Sequence, residues 1–114
     1  MARVLSVMIL AREPQEVADL LRSHPSELVL LDVRETDERA TALIEPSLHI
    51  PMNSIPARFH ELPRNREIVV YCHTGSRSAM VAAYLEGQGF SQLANLEGGI
   101  DAWSRRVDPA VPRY

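Results

Sequence analysis

Strand-like apolar runs alternate with helix-like segments along this chain, and that order limits the folds open to it. The longest runs are residues 28–33 and 67–71, and such continuous apolar runs are typical of strands covered on both faces. Shorter strands are predicted at residues 5–10, 47–50 and 93–96. Because a helix-like segment follows each strand, the order predicts parallel βαβ units with right-handed crossovers and helices on both faces of one sheet.

The helices are predicted from apolar spacing, from the positions of proline and glycine and, for residues 34–41, from a charged, helix-prone composition. They are residues 14–22, 34–41, 55–62 and 78–87, and a last helix that opens at Gly98 and Gly99 and carries Trp103, which is expected in the core. A chain of 114 residues, of which 46% are hydrophobic and 24% charged, has the composition of one globular domain. We therefore predict a single domain over residues 1–114, with residues 108–114 as an extended surface tail.

Charge and composition exclude several classes of function. The net charge of −3 gives no field to gather nucleic acid, so no nucleic-acid partner is expected. The apolar residues 4–11 are too few to span a membrane, and Arg12 and Glu13 follow them where a signal peptide would need small residues. We expect no membrane association and a cytoplasmic location. His24, His49 and His60 share no ligand spacing, so neither a metal site nor another cofactor is predicted.

Cys72 is the only cysteine, and it stands where the run at residues 67–71 gives way to a turn and then a helix. In an open α/β sheet, ligands bind beyond the carboxyl ends of strands, where free N–H groups and the helix dipole favour an anion. A thiolate and a persulfide are both such anions. A lone cysteine has no partner for an intrachain disulfide, so any sulfur that it accepts must pass to another molecule. A buried structural cysteine is the alternative, but Gly75 and Arg77 would serve no purpose there.

The residues after Cys72 have the composition of an anion-binding loop. Four residues separate Cys72 from Arg77, so only a loop that curls back brings the two side chains together. Gly75 permits a positive φ in such a loop, and its successive N–H groups then point inward. The other polar groups of the loop belong to His73, Thr74, Ser76 and Ser78. These donors, the cation of Arg77 and a helix starting near Ser78 are expected to lower the thiol pKa.

His73 is expected to point outward, because an ionised nucleophile needs no base.

Residues 71–78, Tyr-Cys-His-Thr-Gly-Ser-Arg-Ser, resemble the active-site loop of rhodanese-like sulfurtransferases, Cys-x-x-Gly-x-Arg followed by Ser or Thr. Residues 31–34, 48–51 and 96–100 with Trp103 resemble further motifs of that family, in the same order. The resemblance implies an α/β fold, a three-layer α/β/α sandwich with a five-stranded parallel sheet. Where the family usually has Gly-His-Ile-x-Gly-Ala, residues 42–47 are Ala-Leu-Ile-Glu-Pro-Ser. We expect this departure to affect stability or partner docking and to leave the chemistry intact.

The resemblance also implies an activity. Cys72 would take sulfur from thiosulfate or a persulfide donor and pass it to a thiol, a protein acceptor or cyanide, with Arg77 as the second catalytic residue and the other loop residues binding substrate. The alternative is a sulfur carrier that relays persulfide sulfur between protein partners, for example in molybdopterin or thiamine biosynthesis. Residues 107–114 favour it, because they are similar to tails of rhodanese domains fused to adenylating enzymes.

Asp32 and Arg34 end the predicted second strand, beside the strand that leads to Cys72. Both side chains are candidates for substrate binding at the rim of the pocket. The sequence is equally compatible with a structural role for both residues. In that case Asp32 would accept from backbone N–H groups of a neighbouring loop, and Arg34 would pair with Glu35 or Asp37.

Overall fold

The computed structural model describes residues 9–114, in which five parallel strands form one sheet. The strands are β1 (Leu10–Arg12), β2 (Leu28–Asp32), β3 (Leu48–His49), β4 (Glu67–Tyr71) and β5 (Leu93–Leu96). The helices are α1 (Pro14–Ser23), α2 (Thr36–Thr41), α3 (Ile55–Arg58), α4 (Ser76–Gly87) and α5 (Gly99–Arg106), with 3₁₀ turns at Met52–Ser54 and Phe59–Glu61. The strand order β1-β5-β4-β2-β3 places β4 at the centre of the sheet.

Both faces of the sheet are covered by helices, as the continuous apolar runs predict. The side chains of β4 alternate, so that Ile68 and Val70 join one hydrophobic cluster and Val69 and Tyr71 join the other. The first cluster includes Ile55, Val81, Ala82 and Leu85, from α3 and α4. The second includes Val17, Ala18, Ile100 and Trp103, from α1 and α5. The three-layer sandwich is therefore confirmed, and Trp103 is a core residue.

Some element boundaries differ from the predicted ones. Residues 5–8 of the predicted first strand lie outside the described residues, and β1 extends to Arg12. Of the predicted helix at residues 55–62, only the first turn is α-helical, and a 3₁₀ turn replaces the rest. The second helix begins at Thr36 and not at Arg34, because Glu35 is extended, with a ψ of 161°, and its amide donates to the Glu38 side chain at the start of the helix. The fourth helix begins at Ser76 and not near Ser78, which brings its first N–H groups next to Cys72.

The carboxyl ends of the three central strands lie side by side at one edge of the sheet. β4 pairs in parallel with β2, where Asp32 is opposite Tyr71, and with β5, where Val70 is opposite Asn95. The residues that follow these strands therefore meet at this edge, and Cys72 lies in the middle. This is the edge at which parallel α/β sheets bind their ligands.

None of the helices in residues 9–114 is long and apolar enough to cross a membrane. Within the same residues, no group of three or more histidine, cysteine, aspartate or glutamate side chains is arranged to hold a metal ion.

Candidate active site

Cys72 directly follows β4, and its side chain lies beneath the loop that leads into α4. The residue is only 1% exposed. The amides of Gly75 and Ser78 donate to its Sγ at 3.1 and 3.4 Å, and the Ser78 hydroxyl lies 3.4 Å from the same sulfur. The loop therefore curls around the sulfur atom with N–H groups directed at it, which is the arrangement of an anion nest.

The pKa of the Cys72 thiol lies below its ordinary value. Burial raises this pKa, because a buried thiolate loses hydration, but hydrogen bonds from the Ser78 hydroxyl and from the amides of Ser78, Gly75 and Arg77 outweigh that effect. Most of these donors belong to the first turn of α4, whose N–H groups have no partner inside the helix. The site therefore favours a thiolate, which is the nucleophilic form of the residue.

The conformation of the loop depends on Gly75 and on a neighbour in β5. Gly75 has a φ of 117°, which residues with a Cβ rarely adopt. Its carbonyl accepts from Asn95 Nδ2 at 3.3 Å and lies 3.1 Å from the Ser78 hydroxyl, whose single proton can be directed at this carbonyl, at Asn95 Oδ1 or at the Cys72 sulfur. Asn95 thus ties the loop to the sheet. The sequence analysis did not identify it, and the only signal was an amide within a short apolar strand.

The N-terminus of α5 supports the loop from behind. The amide of Ile100 donates to the Cys72 carbonyl at 2.9 Å, and the amide of Asp101 donates to the His73 carbonyl at 3.1 Å. Gly99 makes this approach possible, since a Cβ there would lie 2.5 Å from both carbonyl oxygens. Its φ of 59° also favours glycine. The Gly98–Gly99 pair, which opens the predicted last helix, therefore sets the distance between α5 and the active loop.

Replacing Gly99 with alanine is expected to destabilise the protein by at least about 2 kcal/mol, from left-handed strain and from overlap with two carbonyl groups. The control is Gly87→Ala, because Gly87 has no positive φ and a Cβ there meets no atom of residues 9–114 within 4 Å. That variant is expected to be as stable as the wild type or more stable by up to about 1 kcal/mol. Urea unfolding measures both. Equal stability of the two variants would contradict the tight packing of α5 on the loop.

Arg77 is held at the edge of the loop by Glu38 of α2. Its Nη1 donates to Oε1 at 2.7 Å and its Nη2 to Oε2 at 3.0 Å, a bidentate ion pair. The bond from Arg77 is the largest influence on Glu38 and lowers the pKa of that carboxyl to about 2. Glu38 raises the pKa of Arg77 in turn, and the charge of Cys72 adds to this effect. Sequence analysis missed Glu38, which lies 39 positions before Arg77.

The remaining loop residues lie toward the surface. Thr74 and Ser76 are exposed, so their hydroxyls are open to solvent. His73 is half-buried, and its ring stacks on that of Tyr114, with the ring centroids 4.0 Å apart and an angle of 9° between the planes. Tyr114 belongs to the predicted tail, which makes a turn at Asp108 before reaching this position. The tail therefore contacts the active loop, which the sequence analysis did not predict.

Asp32 and Arg34 are brought to the same edge of the sheet, but both are completely buried. Arg34 donates to Asp32 through Nε at 2.9 Å and Nη2 at 2.8 Å, and not to Glu35 or Asp37. Burial raises the pKa of Asp32, but hydrogen bonds from Arg34 and from the Tyr71 hydroxyl outweigh this and hold it below its usual value. Neither side chain has surface to offer a ligand. These contacts favour the structural role over substrate binding.

The segment that departs from the expected family pattern completes this buried cluster. The Ala42 carbonyl accepts from Arg34 Nη2 at 2.6 Å, and the Ile44 amide donates to the Tyr71 hydroxyl at 3.2 Å. Arg39 of α2 donates to Asp32 at 3.1 Å. The altered residues therefore lie beside the strand that carries Cys72 but make no contact with its sulfur atom.

A family model described as Rhodanese-like domain matches residues 13–106. A sulfurtransferase of Allochromatium vinosum is 42% identical over 85 residues, which cover 75% of this chain and 79% of that protein. Thiosulfate sulfurtransferase GlpE of Pseudomonas syringae is 37% identical over 92 residues, covering 81% of this chain and 85% of that protein. Putative sulfur carrier protein YrkF of Bacillus subtilis is 38% identical over 81 residues, covering 71% of this chain and 44% of that protein.

A solved structure shows the same architecture. The crystal structure of a rhodanese-like domain protein from Staphylococcus aureus superposes with a TM-score of 0.79 at 29% sequence identity. The match covers 93% of this chain and 99% of that one.

Proposed function

The chain belongs to the family of rhodanese-like sulfurtransferase domains, and within that family we propose that it transfers sulfane sulfur from thiosulfate through a persulfide on Cys72. The observation that carries the proposal is the nest of amide donors around the Cys72 sulfur, at 3.1 and 3.4 Å. It stabilises the negative sulfur of the Cys72 thiolate, which is the attacking group in the first step and the leaving group when an acceptor takes the outer sulfur. The similarity to a thiosulfate sulfurtransferase supports the choice of donor.

The proposed reaction has two displacement steps at sulfur. The Cys72 thiolate attacks the outer sulfur of thiosulfate, a sulfur–sulfur bond forms to Cys72, and the original bond breaks with its electron pair leaving on sulfite. An acceptor thiolate or cyanide then attacks the outer sulfur of the persulfide. The Cys72 thiolate leaves, and the acceptor departs as a persulfide or as thiocyanate. Both steps exchange one sulfur atom between nucleophiles and need no oxidant.

The other loop residues have roles that follow from their position. The Gly75 and Ser78 amides hold the negative sulfur of Cys72, and the positive guanidinium of Arg77 attracts the dianionic donor to the rim. The exposed hydroxyls of Thr74 and Ser76 are available to the sulfonate oxygens of the donor. A cytoplasmic location is part of the proposal, because a reducing compartment keeps a lone thiol active.

Mass analysis of the intact protein tests the proposal directly. After incubation with thiosulfate and removal of the excess, the mass is expected to rise by one sulfur atom. Cyanide should restore the original mass and release one thiocyanate per chain. Protein whose single thiol has been blocked with iodoacetamide is the control and should gain nothing. A wild-type protein that takes up no sulfur from thiosulfate or from any low-molecular-weight persulfide would overturn this function.

A sulfur carrier that relays persulfide between proteins is the second candidate, and the similarity to a putative sulfur carrier favours it. The near-complete burial of Cys72 is also compatible with loading by a protein that opens the loop as it docks. The two candidates differ in loading rate. An enzyme should load quickly from free thiosulfate, whereas a carrier should load slowly from thiosulfate and quickly from a persulfidated protein.

A further inference from the structure

The tail after α5 returns to the active site, where Tyr114 contacts Glu38, the partner of Arg77. The Tyr114 hydroxyl donates to Glu38 Oε2 at 2.8 Å and accepts from Arg34 Nη1 at 3.0 Å. Glu38 in turn forms the bidentate pair with Arg77. One hydroxyl therefore connects a fully buried cation to the ion pair at the edge of the Cys72 loop.

The position of Tyr114 is fixed by several contacts. Val111 packs against the hydrophobic cluster formed with α1 and α5, and Arg113 Nε donates to Asp101 Oδ1 at 3.0 Å. The Tyr114 ring stacks on His73, the residue that follows the nucleophile. The residue is still 41% exposed, so it lies at the mouth of the site and not within the core.

The charges around Tyr114 indicate what its hydroxyl does. Burial raises the pKa of Tyr114 to about 12, so the hydroxyl remains a neutral donor near neutral pH. By donating to Glu38, it compensates part of the negative charge that otherwise faces Arg77. By accepting from Arg34, it keeps a buried guanidinium N–H satisfied. Loss of the hydroxyl would leave the charge of Glu38 without this donor, so that more of it acts on Arg77, and the field of Arg77 at the loop would be more fully neutralised.

We propose that Tyr114 is a positioning residue that keeps Arg77, through Glu38, and His73, through ring stacking, in an arrangement that favours an anionic reagent at Cys72. The identity of the physiological anion rests on the function proposed above. The anion preference itself is a property of the site, and it is measurable without turnover.

Three variants separate the contributions of Tyr114. Tyr114→Phe removes the hydroxyl and keeps the ring that stacks on His73, whereas Tyr114→Leu removes both. Tyr84→Phe is the matched control, because it also removes one tyrosine hydroxyl, from a ring that packs edge-on against Phe59. For thiosulfate, Tyr114→Phe is expected to raise KM about three- to tenfold, while kcat changes by less than about twofold. Tyr114→Leu should raise KM further, and Tyr84→Phe should behave as the wild type.

Alkylation of Cys72 provides a second measurement that needs no sulfur transfer. Iodoacetate and iodoacetamide react with the same thiolate, but only iodoacetate is an anion, so their rate ratio reports the positive field at the loop. A single cysteine makes the reaction specific. The iodoacetate-to-iodoacetamide ratio is expected to fall about three- to tenfold in Tyr114→Phe and at least as far in Tyr114→Leu, with no change in Tyr84→Phe.

The outcomes of the two measurements are distinct. A lower ratio in both Tyr114 variants supports the proposal even if thiosulfate is not a substrate, in which case only the donor is wrong. An unchanged ratio in both variants overturns it and leaves the tail as surface packing. An equal fall in Tyr84→Phe also overturns it, because the effect would then be a general loss of structure.

Discussion

Replacing Cys72 with serine is expected to lower the rate of sulfur transfer from thiosulfate to cyanide by at least about 10⁴-fold. Serine occupies the same place beneath the loop, but its hydroxyl is not ionised by the donors that surround it, and its oxygen forms no persulfide. Thiocyanate production over a range of thiosulfate concentrations measures the effect. The circular dichroism spectrum should match that of the wild type, because the two side chains are nearly equal in size.

Uptake of sulfur by the serine variant would contradict the assignment of Cys72. So would a residual rate within about tenfold of the wild-type rate. Uptake would mean that another group of the protein holds the sulfur. A high residual rate would mean that the amide nest binds a donor whose sulfur passes directly to the acceptor, with no covalent intermediate on the protein.

Replacing Asp32 with alanine is expected to have the largest effect on stability, about 3 to 5 kcal/mol. The change leaves the guanidinium of Arg34 buried without its carboxylate, and it removes an acceptor of the Tyr71 hydroxyl. Urea unfolding at neutral pH measures the loss. Asp19→Ala is the matched control, because Asp19 pairs with Arg22 at the exposed surface of α1, and its loss should have little effect on stability.

The contribution of Asp32 should also depend on pH, and the direction follows from its lowered pKa. The folded state binds a proton on Asp32 less readily than the unfolded state does, where the pKa is about 3.9. The stabilisation is therefore complete above the unfolded value and is lost as the pH falls through the folded value. The difference in stability between wild type and Asp32→Ala should be constant near neutral pH and shrink in strong acid. A cost below about 1 kcal/mol at neutral pH would show that Arg34 finds another partner.

The order of strands and helices was predictable from the sequence, because the longer strands and most of the helices have apolar patterns and because proline and glycine mark the turns between them. The residues at which the short elements begin and end were not predictable. The two residues of β3 pair with β2 but carry no distinctive pattern, and the helix predicted over residues 55–62 is interrupted after one turn. The early start of α4 at Ser76 was missed because it depends on the positive φ of Gly75, which the sequence permits but does not require.

The part of the site that lies on one continuous segment was also predictable. Cys72, Gly75 and the amide donors all fall within a few residues, and the amides of Gly75 and Ser78 donate to the Cys72 sulfur. The partners of that segment come from distant positions. Glu38, Asn95 and Tyr114 lie on three different elements, and only the packing of the chain brings them to the loop. The burial of Arg34 against Asp32 is likewise a result of packing, since an arginine at a strand end is compatible with either role.

The loop around Cys72 is held at both ends before any ligand arrives. Asn95 ties its Gly75 end to the sheet, and α5 binds the carbonyls of Cys72 and His73. Ordering a residue from a disordered state costs about 1 to 2 kcal/mol in conformational entropy, on the order of 10 kcal/mol for a loop of this length. An anion of a few atoms gains too little on binding to offset that cost. In this protein the loop is already ordered when the chain folds, so a small ligand does not bear the entropy cost of ordering it. The ligand therefore keeps nearly all of its intrinsic binding energy.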